Sequence, residues 1–421
     1  MNILHAVQGY TPAIGGTEFL IQNVSEKLVS HYGDRVTVFT TTARYNCEVF
    51  TNPFIPQLKP GTETINRVTV RRFRVFNWAG PLLYLIQSIA CKLDLPRNDR
   101  LRALYSGPIV FNMVREMARF PADVMAASSF PLLHMHYTVA AKKKNGVPVV
   151  LIGGLHPQEP WAFDQQIIYE AIHQADACIA YTNYERDYLI SKGIEAEKIH
   201  VIGVGVEPSA FARPDGGRIR RQYGWGGDPV VGYIGQHVGH KGIDTLILAM
   251  PAVWREFPSA RLLIAGSTTR FTAVVRWRVS ELPPEYRQRV IMVDNFPESD
   301  KPDLFDACDV FAYPSGFESF GIAYLEAWMC GKPVIGCRTG AVPSVIDEGQ
   351  DGLLVSYEDK DDLAHAIITL LQNPALRYDM GRRGREKTLS RYTWDIVSDR
   401  FRLVYQQAIS KSACQDKRNA R

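Results

Sequence analysis

The sequence contains no uninterrupted apolar run of the roughly 18 residues that a membrane-spanning helix needs. Its first residues, Met1 to Val7, have no charged stretch ahead of a longer apolar core, so they predict a strand and not a signal peptide. Internal repeats and low-complexity segments are also missing. These absences argue against a membrane-spanning protein and favour a cytoplasmic location.

Cysteine and net charge are low as well. The seven cysteines among 421 residues are scattered without a C-x-x-C pair, which predicts reduced thiols and not a disulfide framework. A net charge of +4 is too small to indicate a nucleic-acid partner. With 46% hydrophobic and 22% charged residues, the composition is that of a soluble globular protein long enough for two domains.

The N-terminal region has the pattern of a doubly wound α/β sheet. A strand at 3–7 is followed by a loop with Gly15 and Gly16, an amphipathic helix from Thr17 and a second strand at 35–41. The loop lacks G-x-G-x-x-G and the second strand ends in threonines, which disfavours a nicotinamide site. Either glycine, taken alone, is explained equally well by a tight turn that needs a positive φ and by the close approach of a ligand to the backbone.

The stretch 309–340 has the most informative spacing. The apolar run Val310 to Tyr313 predicts a buried strand, and Ser319 to Met329 predicts a helix. Glu318 lies at the start of this helix and Glu326 lies inside it. Eight helical residues would separate the two carboxylates by about 12 Å.

Phe320 and Gly321 lie between these glutamates, on the predicted first turn, whose backbone N–H groups lack helical partners. Such a helix start is suited to a phosphate, and a glycine lets it approach closely. A sugar, a diphosphate and a ribose would fit this order of groups. Either glutamate alone is more simply explained as a solvated side chain or by the helix dipole.

The combined pattern resembles the signature of glycosyltransferase family 4, also described as glycosyl transferases group 1. The matching residues are Glu318-x7-Glu326 with Ser-Phe-Gly inside, Pro314-Ser315 before them and Gly331-Lys-Pro-Val after them. The resemblance implies a retaining, nucleotide-sugar-dependent enzyme with the GT-B fold. That fold has two Rossmann-like doubly wound domains facing a central cleft, with a C-terminal helix that crosses back to the first domain.

A second glycine-rich loop, 235–242, follows another predicted strand and precedes a helix. Lys241 would provide the positive charge for a diphosphate there. The loop is similar to the family's G-R-x4-K-G, but Gln236 stands where the arginine is usual. Diphosphate binding would then depend on Lys241, with a contribution from His237.

The resemblance also implies roles for individual residues. Glu318 would bind the sugar hydroxyls, Glu326 the ribose, and His156, in the loop after the predicted strand 147–153, would lie beside the transferred sugar. The expected catalytic residues are Glu318, His156 and Lys241, and the expected donor-binding residues are Gly15, Gly16, Gln236, Asn295, Ser319, Phe320, Gly321, Ile322 and Glu326.

The segment 66–102 is unusual in composition. It has eight Arg or Lys residues against two Asp, interleaved with aromatic residues around the apolar run Pro81 to Cys91. An acceptor-facing or membrane-surface helix would explain it. A strand with solvated arginines, followed by an ordinary core helix, explains it better.

These patterns predict an N-terminal acceptor-side domain at 1–207, a linker at 208–228, a donor domain at 229–392 and a crossover helix with a tail at 393–421. We expect sugar transfer from a nucleotide diphosphate sugar to an acceptor hydroxyl of unknown identity, without a cofactor or metal. Asp359-Lys-Asp361 is expected to cap a helix. The alternatives are a GT-B sugar-nucleotide epimerase and an inactive sugar-nucleotide-binding module. Peripheral contact with the membrane surface is a further expectation.

Overall fold

The chain divides into two compact units, one formed by Met1–Gly203 with the stretch from Trp394, the other by Val204–Thr393. The computed structural model describes residues 1–13, 15–44 and 47–419. Each unit is built around its own sheet, as the doubly wound pattern predicts.

The first unit has an eight-stranded sheet in the order β3-β4-β2-β1-β5-β6-β7-β8. The paired strands are parallel except for β3 and β4, which are antiparallel. The strands are β1 (Asn2–Ala6), β2 (Arg35–Thr41), β3 (Gly61–Ile65), β4 (Val68–Phe73), β5 (Val124–Ser128), β6 (Val149–Ile152), β7 (Ala177–Ala180) and β8 (Ile199–Val201). The helices between them are α1 (Gly16–Tyr32), α2 (Gly80–Lys92), α3 (Asn98–Ser106), α4 (Met113–Arg119), α5 (Leu133–Asn145), α6 (Pro160–Phe163), α7 (Gln166–Gln174) and α8 (Asn183–Ser191).

The second unit has a six-stranded parallel sheet in the order β11-β10-β9-β12-β13-β14. Its strands are β9 (Val230–Ile234), β10 (Arg261–Gly266), β11 (Val290–Asp294), β12 (Val310–Ala312), β13 (Val334–Cys337) and β14 (Gly352–Val355). Its helices are α9 (Gly216–Tyr223), α10 (Ile243–Glu256), α11 (Thr272–Ser280), α12 (Pro284–Arg287), α13 (Lys301–Ala307), α14 (Ile322–Met329), α15 (Lys360–Gln372) and α16 (Pro374–Arg391).

The last helix, α17 (Trp394–Asn419), belongs to the first unit, in agreement with the expected crossover. It packs on α1, where the rings of Phe19 and Trp394 meet edge to face at 5.5 Å. Ion pairs from Lys27 to Asp395, at 2.7 Å, and from Arg402 to Asp34, at 2.8 Å, support the same contact.

The segment 208–228, which we predicted as a linker, lies inside the second unit. Its helix α9 packs against α13. Arg218 pairs with Asp300 and Asp303 at 2.8 and 2.9 Å, so this residue of an arginine-rich stretch holds the helix in place. A Cβ on Gly216 would lie 2.4 Å from the backbone of Asp306, which explains why glycine begins this helix.

The segment 66–102 differs from the expected solvated strand and core helix. Arg72 is buried, pairs with Glu63 at 2.7 Å and donates to the carbonyl of Thr11, while Arg71 pairs with Glu116 at 2.8 Å. These arginines therefore fix the edge of the sheet.

Helix α2 buries small or polar residues, Gly80, Gln87 and Ala90, and turns an apolar face outward. That face consists of Leu82, Leu85, Ile86, Ile89 and Leu93, which are 39–66% exposed. Because their spacing is i, i+3, i+4, i+7 and i+11, they form one stripe along the helix. We call these five residues the α2 stripe. In the described part of the chain, no helix combines the length and the apolar character that a bilayer span requires.

Candidate active site

The candidate site of the second unit lies where the strand order of its sheet reverses. Strand β9 pairs with β10 on one side and with β12 on the other. The loops that follow β9 and β12 therefore leave the carboxyl edge of the sheet side by side. Ligands of open α/β sheets bind at this topological switch point.

Backbone contacts join these two loops. The N–H of Gly316 donates to the carbonyl of His240 at 2.8 Å, and the Ser315 hydroxyl donates to the same carbonyl at 3.3 Å. Gly242 has a φ of 72°, and a Cβ there would lie 2.1 Å from the carbonyl oxygen of Pro314. Glycine is therefore needed both for the backbone conformation and for the close approach.

This approach brings Lys241 and Glu318 together. Their Nζ and Oε1 atoms are 2.6 Å apart, and the two side chains are 18% and 10% exposed. The Lys241 ammonium also lies 5.1 Å from the centre of the Tyr313 ring, which stacks on Tyr233 at 5.2 Å. Burial, together with the Glu318 carboxylate, raises the pKa of Tyr313 well above its usual value, so this phenol is neutral. The lysine is held between a carboxylate and a buried aromatic pair.

Helix α14 begins at Ile322 and not at Ser319, so our prediction of its start was wrong by three residues. The cause is Gly321, which has a φ of 92° and whose added Cβ would meet the Tyr324 ring at 2.5 Å. Ser319 and Phe320 belong to the preceding loop, and the Phe320 ring is buried against Tyr392 at 5.2 Å. Glu318 is outside the helix, so the helical rise does not give its distance from Glu326.

Glu326 lies inside α14, where it is largely buried and pairs with Lys301 at 3.0 Å. Burial raises the pKa of the Glu326 carboxyl, and Lys301 opposes this shift. Burial alone would lower the pKa of Lys301, but Glu326 and Glu298 outweigh it and leave that pKa raised. The sequence analysis missed Lys301, because no spacing motif links a residue at the start of α13 with a glutamate 25 positions later.

The other residues that we expected to bind the donor in this unit surround the same sheet edge. Gln236 is exposed, and its carbonyl accepts the Tyr233 hydroxyl at 2.9 Å. His237 is buried beside the Thr272 hydroxyl, and burial lowers its pKa, so it is neutral and adds no positive charge for a diphosphate. Asn295, after β11, has a φ of 51° and donates its N–H to the carbonyl of Gly266 at 2.9 Å.

In the first unit, Gly15 and Gly16 follow β1, at the point where the order of that sheet reverses. Gly15 has an extended φ of −178° and Gly16 begins α1, so the alternative of a turn with positive φ is wrong for both. A Cβ on Gly15 would lie 2.2 Å from a Glu18 carboxylate oxygen, whereas one on Gly16 would meet nothing within 4 Å. An added Cβ at Gly15 would thus meet only the end of the Glu18 side chain, and Gly16 faces open space.

His156 lies in the loop after β6, with its ring edge to face against Phe163 at 5.2 Å. The buried carboxylate of Glu185 organises this loop. It accepts the N–H groups of Gly154 at 2.8 Å, Leu155 at 3.0 Å and Tyr181 at 2.8 Å. Sequence reasoning missed Glu185, although its position three residues after Thr182, a helix N-cap, is the spacing of a capping box.

Asp359 caps α15, as predicted, by accepting the N–H groups of Asp361 and Asp362 at 3.0 and 2.9 Å. Among the side chains that the structure describes, no group of three His, Cys, Asp or Glu residues could hold a metal ion.

The structure brings Lys241 and Glu318 into contact, and it places Gln236, Asn295, Glu326 and the start of α14 around the same edge of the second sheet. Gly15, Gly16 and His156 belong to the first unit.

Two family models match the chain. Residues 14–210 match Glycosyltransferase Family 4, and residues 216–387 match Glycosyl transferases group 1.

Similar proteins include the D-inositol 3-phosphate glycosyltransferase of Acidothermus cellulolyticus, 29% identical over 76% of this chain and 81% of that protein. The enzyme of the same name from Segniliparus rotundus is 30% identical over 67% of this chain, but the match spans 62% of that relative. A GDP-mannose-dependent alpha-(1-6)-phosphatidylinositol monomannoside mannosyltransferase of Mycolicibacterium smegmatis is 31% identical over 53% of this chain and 60% of its own length. The chain thus spans less than two thirds of two of these relatives. Their names favour neither the epimerase nor the inactive module.

Solved structures resemble the whole chain. A sucrose-phosphate synthase from Thermosynechococcus elongatus has a TM-score of 0.72 at 20% identity and covers 98% of this chain and 100% of its own. Anabaena Alr3699/HepE, in complex with UDP and glucose, has a TM-score of 0.69 at 19% identity, with coverages of 96% and 99%. With the two family matches, this likeness establishes that the chain belongs to the glycosyltransferases of family 4 and has the GT-B fold.

Proposed function

We propose that this chain is a retaining glycosyltransferase that moves a sugar from a nucleotide diphosphate sugar to an acceptor hydroxyl. The observation that carries the proposal is the Lys241–Glu318 pair at the switch point of the second sheet. A cation and a carboxylate held together there can serve the two ends of a sugar–phosphate bond. The HepE structures with UDP and with UDP-glucose support a nucleotide sugar as the donor.

The diphosphate would bind Lys241 and the N–H groups at the start of α14. These groups stabilise the charge that develops on the leaving phosphate, which is the main requirement of the reaction. Glu318 would accept hydrogen bonds from the sugar hydroxyls, and Glu326 from the ribose. His156 is assigned to the transferred sugar through the family resemblance. The resemblance also implies that the acceptor attacks the sugar from the same face that the leaving group departs from. Glu318 is not assigned as a nucleophile.

The reaction is proposed to need no metal, because Lys241 and helix N–H groups supply positive charge to the phosphates. Activity should then survive EDTA. Complete loss on chelation, with recovery on adding Mg²⁺ or Mn²⁺, would contradict this part of the proposal.

The test of the proposal begins with the thermal unfolding of the whole chain in the presence of nucleotides and nucleotide sugars. A ligand that binds only the native state raises the unfolding temperature. At a ligand concentration about one hundred times its Kd, the free energy of unfolding increases by about 2.7 kcal/mol. The donor identified in this way is then incubated with candidate acceptors, and the anomeric configuration of the product is read by NMR. Turnover without an acceptor would favour the epimerase, and binding without any turnover would favour the inactive module.

We also propose a cytoplasmic location with peripheral contact between the α2 stripe and an anionic membrane surface. Exposed Lys92 ends the helix beside the stripe, and Trp78 precedes the helix, a composition typical of interfacial helices. The six cysteines whose side chains the structure describes are free thiols, which suits a reducing compartment.

Co-sedimentation with phosphatidylglycerol vesicles tests the membrane contact. Leu85→Ser with Ile89→Ser should abolish binding. The control is Leu248→Ser, which removes a similarly exposed leucine from α10. Equal sedimentation of the stripe variant and the control would contradict the contact.

A further inference from the structure

A cavity of about 440 Å³ opens beyond the carboxyl end of β4 in the first unit. The residues that follow this strand form one wall, and the loop before α4 forms another. We call it the β4 cavity. The lining residues that matter below are Gln57, Arg74, Phe76, Trp78 and Phe111.

The wall of the β4 cavity is aromatic and unusually exposed. Trp78 is 70% and Phe111 is 65% exposed, and the rings of Phe76 and Phe111 lie 5.0 Å apart. Isolated exposed aromatic residues are ordinary, but three around one cavity form an apolar binding surface.

The cavity also has a free cation. Arg71 and Arg72 pair with Glu116 and Glu63, whereas Arg74 is exposed and has no carboxylate partner in the part of the chain that the structure describes. An aromatic wall beside an unpaired guanidinium suits a ligand that is apolar at one end and anionic at the other.

The distance of the β4 cavity from the loops of Gly16 and His156 indicates which part of an acceptor could bind in the cavity. Strand β4 is two places from β1 and four places from β6 in the sheet. At about 4.8 Å between neighbouring strands, the cavity is about 10 Å from the loop of Gly16 and about 19 Å from that of His156. A group bound in the cavity is therefore remote from the transferred sugar, although both lie at the carboxyl edge, where ligands of such sheets bind.

We propose that the β4 cavity binds the lipid-proximal part of an anionic, lipid-linked acceptor. This inference rests on the proposed function, since it names the class of acceptor. Two features favour a lipid over a soluble glycan. The α2 helix begins two residues after Trp78, so the α2 stripe and the cavity wall are consecutive in the chain. The free charge beside the aromatic rings is positive, which matches a phosphate that joins a lipid to a sugar.

Isothermal titration with dodecyl phosphate, kept below its micelle concentration, tests the proposal on the whole chain. Trp78→Ala and Arg74→Gln should each weaken binding about tenfold or more, as loss of an interface anchor does. The matched control is Trp277→Ala, which removes a tryptophan of 51% exposure from α11 in the other unit. Because Trp78 and Arg74 are exposed, both variants should fold, which their thermal unfolding verifies.

Three results would overturn the inference. They are equal affinity of the wild type and both cavity variants, equal affinity for dodecyl phosphate and neutral dodecyl maltoside, and tighter binding of a soluble oligosaccharide than of either amphiphile. The same proteins are titrated with GDP and UDP. If the wild type binds neither these two nor any other nucleotide or nucleotide sugar of the thermal screen, the proposed function is refuted, whereas the three results above would leave it intact and remove the lipid-linked acceptor.

Discussion

Replacing Glu318 by glutamine should tighten the binding of a nucleoside diphosphate while it lowers turnover. The Glu318 carboxylate holds the Lys241 ammonium at 2.6 Å. A diphosphate that recruits this lysine must therefore share it with Glu318, and the carboxylate also repels the incoming anion. Glu318→Gln keeps the shape of the side chain and removes both effects.

The size of the effect follows from the pair's geometry. At 2.6 Å, an effective dielectric constant of about 20 gives an attraction of about 6 kcal/mol before desolvation is counted. Both side chains are mostly buried, so desolvation offsets much of this, and a hydrogen bond to a charged group contributes about 1.5–3 kcal/mol net. Lysine has three N–H donors and can keep Glu318 while it binds phosphate. We therefore expect a gain of about 1 kcal/mol, or roughly fivefold in affinity.

A double-mutant cycle with Lys241→Met measures this coupling. The affinity of GDP and UDP is determined by isothermal titration for the wild type, both single variants and the double variant. Glu318→Gln should tighten binding more when Lys241 is present than when it is absent, because with methionine at position 241 only the repulsion is removed. If the two substitutions add within about 0.5 kcal/mol, the pair is not coupled to the diphosphate. Weaker binding by Glu318→Gln alone would show that Glu318 contacts the nucleotide.

Three further outcomes test other parts of the site. Glu326→Ala should weaken GDP or UDP binding by about 1.5–3 kcal/mol in a titration at neutral pH. Because burial raises the pKa of Glu326, the wild-type affinity should begin to fall at a higher pH than an ordinary glutamate would cause. The Glu326→Ala variant should lack this pH dependence. If the variant keeps it, Glu326 does not bind the ribose. Glu185→Gln should lower kcat without changing nucleotide affinity, since it loosens the loop of His156, and it should cost nothing more in a His156→Ala background; additive losses would give it another role. Gln236→Arg should be tolerated and should tighten donor binding, because an arginine adds bidentate phosphate contact; a loss of affinity would show that no phosphate lies near this loop.

The sequence predicted the central strands well because they are apolar and buried, as in β9, where all five residues are buried. It did not predict β3, whose residues Gly61 to Ile65 are mostly exposed at the sheet edge. Helix α14 was placed three residues too early, since Ser319 and Phe320 suit a helix by composition. The left-handed conformation of Gly321 decides the start, and it depends on the packing of Tyr324.

Contacts between distant segments were beyond the sequence. The pairing of Lys241 with Glu318 joins residues 77 positions apart, and the family pattern gave both residues without giving their contact. Lys301 had no pattern at all. Likewise, His237 was expected to add charge because it stands in a basic loop, but burial makes it neutral.

The proposed donor site can be recognised in the sequence because its shape depends on backbone geometry. Positions such as Gly242 and Gly321 admit no other residue without strain, so they form a motif at the proposed phosphate site. The surface that we propose for the acceptor is built from exposed side chains, where backbone geometry imposes no such pattern. A helical period of leucines and isoleucines is the same whether the stripe faces a core or a membrane. In α2 the buried residues show which face is turned outward: Gln87 is buried while Leu85 is exposed, and burial of that face depends on neighbours elsewhere in the chain. For this reason the acceptor class had to be inferred from exposure and from the β4 cavity, and it is the part of the function that experiment should address first.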